Sequence, residues 1–127
     1  MNNTVVATRS LLILFRGLVW LIIIGIALQF FLAGLIVFGG GTGWEAHAAT
    51  GGALALPILL AFAISFRGTL LAYRRLASLL LAGYLLQVML AALGDGLPLL
   101  GALHPVNGLA MASVAFLLAS RLARAWG

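Results

Sequence analysis

The chain has 127 residues, 65% of them hydrophobic and only 7% charged, far from the roughly 25% charged residues of a soluble domain. Such a composition cannot cover a water-facing surface. With a crossing needing about 20 apolar residues, the length holds a single all-α domain of four membrane spans over residues 1–127. The absence of cysteine removes disulfides, thiolate metal sites and thiol catalysis. The net charge of +5 comes from arginine alone and flanks apolar runs, so it reads as orientation against an anionic inner leaflet, not as nucleic-acid binding.

The first span, 17–38, follows Arg9 and Arg16. Its apolar region outruns the roughly 7–15 residues of a signal core, so the small-x-small pattern at Ala46, His47 and Ala48 is read as part of the mature chain. Gln29 lies within this span on a face shared with Gly25 and Leu32. The glycine cluster at 39–43 lacks the Lys-Ser/Thr and preceding strand of a phosphate loop. It reads as a flexible outer turn with free backbone N–H groups. The second span, 44–66, opens with Trp44, Glu45 and His47 and contains Gly51 and Pro57, and the proline should bend it. Arg67, Arg74 and Arg75 separate it from the third span, 70–93, where Gln87 shares a face with Gly83 and Leu90. After an outer loop over 95–101, the fourth span, 104–122, is expected to start at His104 with Pro105 in the first helical position. It contains Gly108 and ends at Arg121 and Arg124.

All seven basic residues thus fall on one side, while Glu45 and Asp95 occupy the other. The positive-inside rule places both termini and the 67–75 connection in the cytoplasm. Trp20, Tyr73 and Trp126 at inner ends, and Trp44 at an outer end, suit interfacial anchoring.

An internal repeat runs through the chain. At an offset of 58, Arg9 aligns with Arg67, Arg16 with Arg74, Gly25 with Gly83, Gln29 with Gln87 and Leu32 with Leu90. Past a one-residue deletion the offset is 57, pairing His47 with His104, Gly51 with Gly108 and Arg67 with Arg124. The spans therefore read as two tandem helical hairpins forming an up-down-up-down bundle, parallel repeats about an axis along the membrane normal.

His47 and His104 are the only histidines. Either alone reads as a solvated interfacial residue. As a repeat-matched pair on diagonal helices they would meet across the core at one depth, as two axial metal ligands. A structural zinc site takes four protein ligands, whereas haem supplies four equatorial nitrogens and asks only for axial ones. Gly51 and Gly108, each four residues after a histidine, leave room on the same helix face for a flat macrocycle, or serve close helix packing. Gln29 and Gln87 should face the bundle interior, bonding each other, the helix backbones or a cofactor edge. Glu45 reads as an exposed carboxylate or as an acceptor orienting His47. No nucleophile with a base, paired carboxylates or open metal position is visible, so enzymatic turnover is not expected.

The pattern Trp44, Glu45, Ala46, His47 and Gly51, with Leu86, Gln87 and the run Leu103, His104, Pro105, Val106, Asn107, Gly108, resembles small bacterial four-helix membrane proteins, a domain of unknown function. It is similar, more distantly, to one half of haem A synthase, whose four-helix halves carry paired histidines and bind or process haem. Alanine follows His47 where the synthase has arginine, its loop cysteines are absent, and only one four-helix unit is present. The resemblance implies bis-histidine haem binding in a bacterial cytoplasmic membrane, not haem A synthesis.

The sequence thus predicts a b-type cytochrome with one haem b, bound without a Cys-x-x-Cys-His attachment. His47 and His104 are its metal ligands, and Gly51, Gly108, Gln29 and Gln87 contact the cofactor. Its partners are the lipid bilayer and other membrane redox subunits or a second copy. The rival expectation is a structural or assembly subunit of a respiratory or photosynthetic complex, whose histidines hold bacteriochlorophyll or nothing.

Overall fold

The computed structural model describes residues 3–41 and 43–125, so Thr42 of the glycine turn and the expected anchor Trp126 lie outside the described residues. Helix α1 (Asn3–Val37) is followed by α2 (Glu45–Ala53), α3 (Ala55–Ile64), a 3₁₀ helix (Gly68–Tyr73), α4 (Arg74–Gly94) and α5 (Pro98–Arg124). Four helical segments are long and apolar enough to cross a membrane: Arg9–Val37, Glu45–Ile64, Gly68–Gly94 and Pro98–Arg124. The 35 residues of α1 give about 52 Å at 1.5 Å per residue, well beyond roughly 30 Å of hydrocarbon.

The helix ends have local causes. α1 stops in a Schellman motif: Gly39, at φ 77°, donates to Ile36, and Gly40 donates to Leu35 at 2.7 Å. The second apolar segment breaks at Leu54 into α2 and α3. Pro57 causes this, since it has no N–H for the Ala53 carbonyl and its ring crowds the preceding turn. α5 begins at Pro98, six residues before the expected start. Pro98 takes the first-turn position assigned to Pro105, which instead lies inside the helix. Only residues 95–97 separate α4 from α5, so Gly101 is helical and not part of a loop. It crosses Gly94 so closely that an ideal Cβ on either would lie 3.1 Å from the other's Cα.

α1 packs against α3 and α5, and α4 packs against the same two. The diagonals of the bundle are therefore α1 with α4, and the α2–α3 segment with α5. The apolar core fills the end where the arginines lie: Phe15, Val19, Ile22, Ile58, Leu80, Leu118 and Leu122 are all fully buried. Tyr73, expected as an interfacial anchor, belongs to this core, 9% exposed with its ring 5.9 Å from Phe15. Its apolar ring body packs against Phe15 of α1. Trp20 and Trp44 are exposed.

Candidate functional site

At the opposite end of the bundle apolar burial gives way to polar contacts. α2 buries no residue at all. His47, near its start, points its Nδ1 at the backbone carbonyl of Gln29 on α1, 3.2 Å away. His104, in the second turn of α5, points its Nδ1 at the carbonyl of Gln87 on α4, 3.1 Å away. A carbonyl only accepts, so each Nδ1 carries the proton and each Nε2 keeps its lone pair. The two rings lie across the bundle diagonal with centroids 6.0 Å apart and planes at 53°.

The glutamine side chains complete each hairpin. With its amide oxygen toward the donors, Gln29 accepts from Gly51 N–H at 3.0 Å and lies 2.6 Å from the Thr50 hydroxyl, while its NH₂ donates to the His47 carbonyl at 3.0 Å. It thereby clips both ends of the helical turn that starts at His47. Gln87 instead accepts from Asn107 Nδ2 at 2.7 Å, and the same NH₂ donates to the Gly83 carbonyl at 2.8 Å. The glutamines thus bond within their own hairpins and not to each other. An ideal Cβ on Gly51 would lie 2.9 Å from the Gln29 amide, and one on Gly108 would lie 3.3 Å from Phe30 and 3.4 Å from Gln87 Nε2. In this structure the two glycines admit the glutamine amides.

One turn deeper, Gly25 lies against Leu54 and Gly83 against Met111. Gly25 and Gly83 differ by the 58 offset, and Leu54 and Met111 by the 57 offset. The glycine contact and the histidine–carbonyl bond therefore appear at positions related by these offsets, while the two glutamine side chains take different partners.

Glu45 is exposed in the first turn of α2, and the acceptor for His47 is the Gln29 carbonyl. Three participants were not singled out from sequence. Thr50 and Asn107, each three residues after a histidine, are equated by the 57 offset, a signal obscured by their different chemistry. Tyr84 on α4 donates to the Gly51 carbonyl at 3.1 Å and lies 3.4 Å from that of Gly52, and its repeat counterpart is the apolar Ile26.

Among the described residues no group of three or more His, Cys, Asp or Glu could hold a metal ion, so the donor set is the two imidazoles. Bonds of about 2.0–2.1 Å from both Nε2 atoms to a shared ion put ring centroids roughly 6.3 Å apart, against the observed 6.0 Å. Two imidazoles with carbonyl-bonded Nδ1 atoms offer two protein nitrogens, fewer than the four protein ligands of a closed structural zinc site.

No curated protein and no solved structure matches the chain. One family model, described as a family of unknown function (DUF6220), matches residues 29–93, a stretch from Gln29 through His47, Tyr84 and Gln87 that covers half of the sequence, and the chain belongs to this family.

Proposed function

We propose that the protein is a small b-type cytochrome of the bacterial cytoplasmic membrane, holding one haem b between His47 and His104 and passing single electrons. The observation that carries this reading is the matched pair of histidines: rings 6.0 Å apart, each Nδ1 committed to a glutamine carbonyl, each Nε2 left to ligate. Bound haem would supply the one-electron couple, and two axial imidazoles leave no open iron position, which favours electron transfer over oxygen chemistry. The chain's own part is to fix both imidazole tautomers, to hold the rings on one axis, and to surround the site with apolar helices. The motif likeness to half of haem A synthase extends to this ligand pair only.

The reading includes an up-down-up-down bundle of two tandem hairpins, supported by the contacts that recur at the 57 and 58 offsets. It also places the arginine end in the cytoplasm and the histidine end toward the outer face. Cysteines introduced as Thr69→Cys and Gly96→Cys test the orientation: an impermeant reagent on intact cells should label the second and not the first.

For the cofactor, the purified protein should show a Soret band and a sharp reduced α band, with a pyridine extract reporting haem b. His47→Ala and His104→Ala should each abolish that spectrum while leaving the protein inserted and helical. A colourless protein from haem-replete cells would favour the structural-subunit reading. Stoichiometric haem that survives both substitutions would overturn the ligand assignment.

A further inference from the structure

The two histidines stand on unequal supports. α5 is continuous over Pro98–Arg124 and buries Gly108, Met111 and Ala115 just beyond His104. α2 has nine residues, buries none, and ends at the Leu54 break. A helix this short has no stability of its own, so tertiary ties must set the direction of His47. Of the ties from α1, the histidine–carbonyl bond has its counterpart in His104 and Gln87, and in each hairpin a glutamine amide bonds the turn after the histidine, through different partners. The tie from α4 has none: the Tyr84 hydroxyl donates to the Gly51 carbonyl at 3.1 Å, where the other hairpin presents Ile26, a core residue 5% exposed. Gly51 lies one turn beyond His47, next to the stretch where Pro57 interrupts the backbone ladder and side-chain donors are needed. The α1 clip and the α4 hydroxyl therefore grip the same turn of α2 from two helices.

We propose that Tyr84 is the positioning residue of His47: its bond to the Gly51 carbonyl fixes the rotation of α2 and so the direction in which the His47 Nε2 points. The consequence for ligation rests on the cytochrome reading; the hold on α2 does not.

Tyr84→Phe keeps the ring and removes only the hydroxyl. In the haem-free protein in lipid discs, amide exchange over residues 48–53 should quicken roughly fivefold, the factor equivalent to one net hydrogen bond of about 1 kcal/mol. Exchange around His104 should stay unchanged. In the haem-loaded protein, the low-spin electron paramagnetic resonance g values, which report the relative orientation of the two imidazole planes, should shift. Tyr73→Phe, at the other end of the bundle, should alter neither measurement. Unchanged exchange in α2 would overturn the proposal. Faster exchange with unchanged g values would reduce Tyr84 to a helix staple and overturn its positioning role. If the wild-type protein takes up no haem, the cytochrome reading falls, and the exchange experiment still decides whether Tyr84 holds α2.

Discussion

Between the arginine end and the level of Ile26, the helices meet through Phe15, Val19, Ile22, Ile58, Leu80 and Leu118, with Ser65 the one buried polar side chain among the described residues; at the level of Gln29 they meet through amides, hydroxyls, imidazoles and carbonyls. In lipid, apolar side chains gain nothing from leaving the solvent, so the first region holds by close van der Waals packing and the second by directed bonds. Close packing tolerates little change of volume, because every lost methylene leaves a gap that the neighbours fill only in part. Directed bonds contribute less stability each, but they fix where a donor or lone pair points. The packed end therefore sets the helix arrangement, and the polar end sets the imidazoles.

The comparison is broken most directly by emptying the packed end. Phe15 is fully buried and touches Tyr73, and Phe15→Ala should cost about 2–3 kcal/mol from the cavity alone, read by steric trapping in bicelles. Haem retention should fall only as the folded fraction falls. A loss no greater than that of removing a single polar tie would show that the two ends are not built differently.

Enlarging glycines sharpens the contrast. An added side chain at Gly25 runs directly into Leu54, so Gly25→Leu should overpack the helix junction at about 1–3 kcal/mol. At Gly51 and Gly108 the neighbours are the far ends of side chains, the glutamine amides and the edge of Phe30. Gly51→Leu and Gly108→Leu should remain inserted and helical by circular dichroism, yet bind little haem or show a shifted spectrum. Full haem with an unchanged spectrum in both variants would leave these glycines a packing role alone.

Much of this division is legible in the sequence. Hydropathy and length mark four crossings, Pro57 marks the bend, and the 57 and 58 offsets equate the histidines, glutamines and glycines that prove to be neighbours. What escapes has physical reasons. Pro98 and Pro105 both suit a first helical turn, and one sequence does not rank them. Tyr73 beside Arg74 has the look of an interfacial residue, and only the fold places it under Phe15. The carbonyls of Gln29 and Gln87 accept from the histidines, but a backbone acceptor leaves no mark in the residue type. Tyr84 has an apolar counterpart, Ile26, at the 58 offset, so the symmetry that pairs the histidines conceals the residue that makes their supports unequal.

The polar end should respond in smaller steps. Asn107 donates to both the Gly83 carbonyl and Gln87, joining α5 to α4 twice. Asn107→Leu should cost about 1–2 kcal/mol, near the upper limit for polar ties between membrane helices. The same change should free the Gln87 amide, and the Soret position should move with little loss of haem. Complete unfolding would mean that the polar end also sets the helix arrangement.

The smallest effect is expected at Thr50, the counterpart of Asn107 in the other hairpin. Its hydroxyl has one proton and three nearby acceptors: the carbonyls of Ala46 at 2.7 Å and His47 at 3.3 Å in its own helix, and the Gln29 amide oxygen at 2.6 Å. Whichever it serves, Gln29 still accepts from Gly51 N–H and donates to the His47 carbonyl. Valine matches threonine in shape, and both are stiff at χ1, so Thr50→Val deletes a shared bond without opening a cavity. The loss should be about 0.6 kcal/mol or less, the average for such ties in a membrane bundle, with haem content unchanged. If Thr50→Val instead proved as costly as Asn107→Leu, the clip on α2 would depend on the hydroxyl and not on the Gln29 amide. The two hairpins would then be held alike, and their inequality would rest on Tyr84 alone.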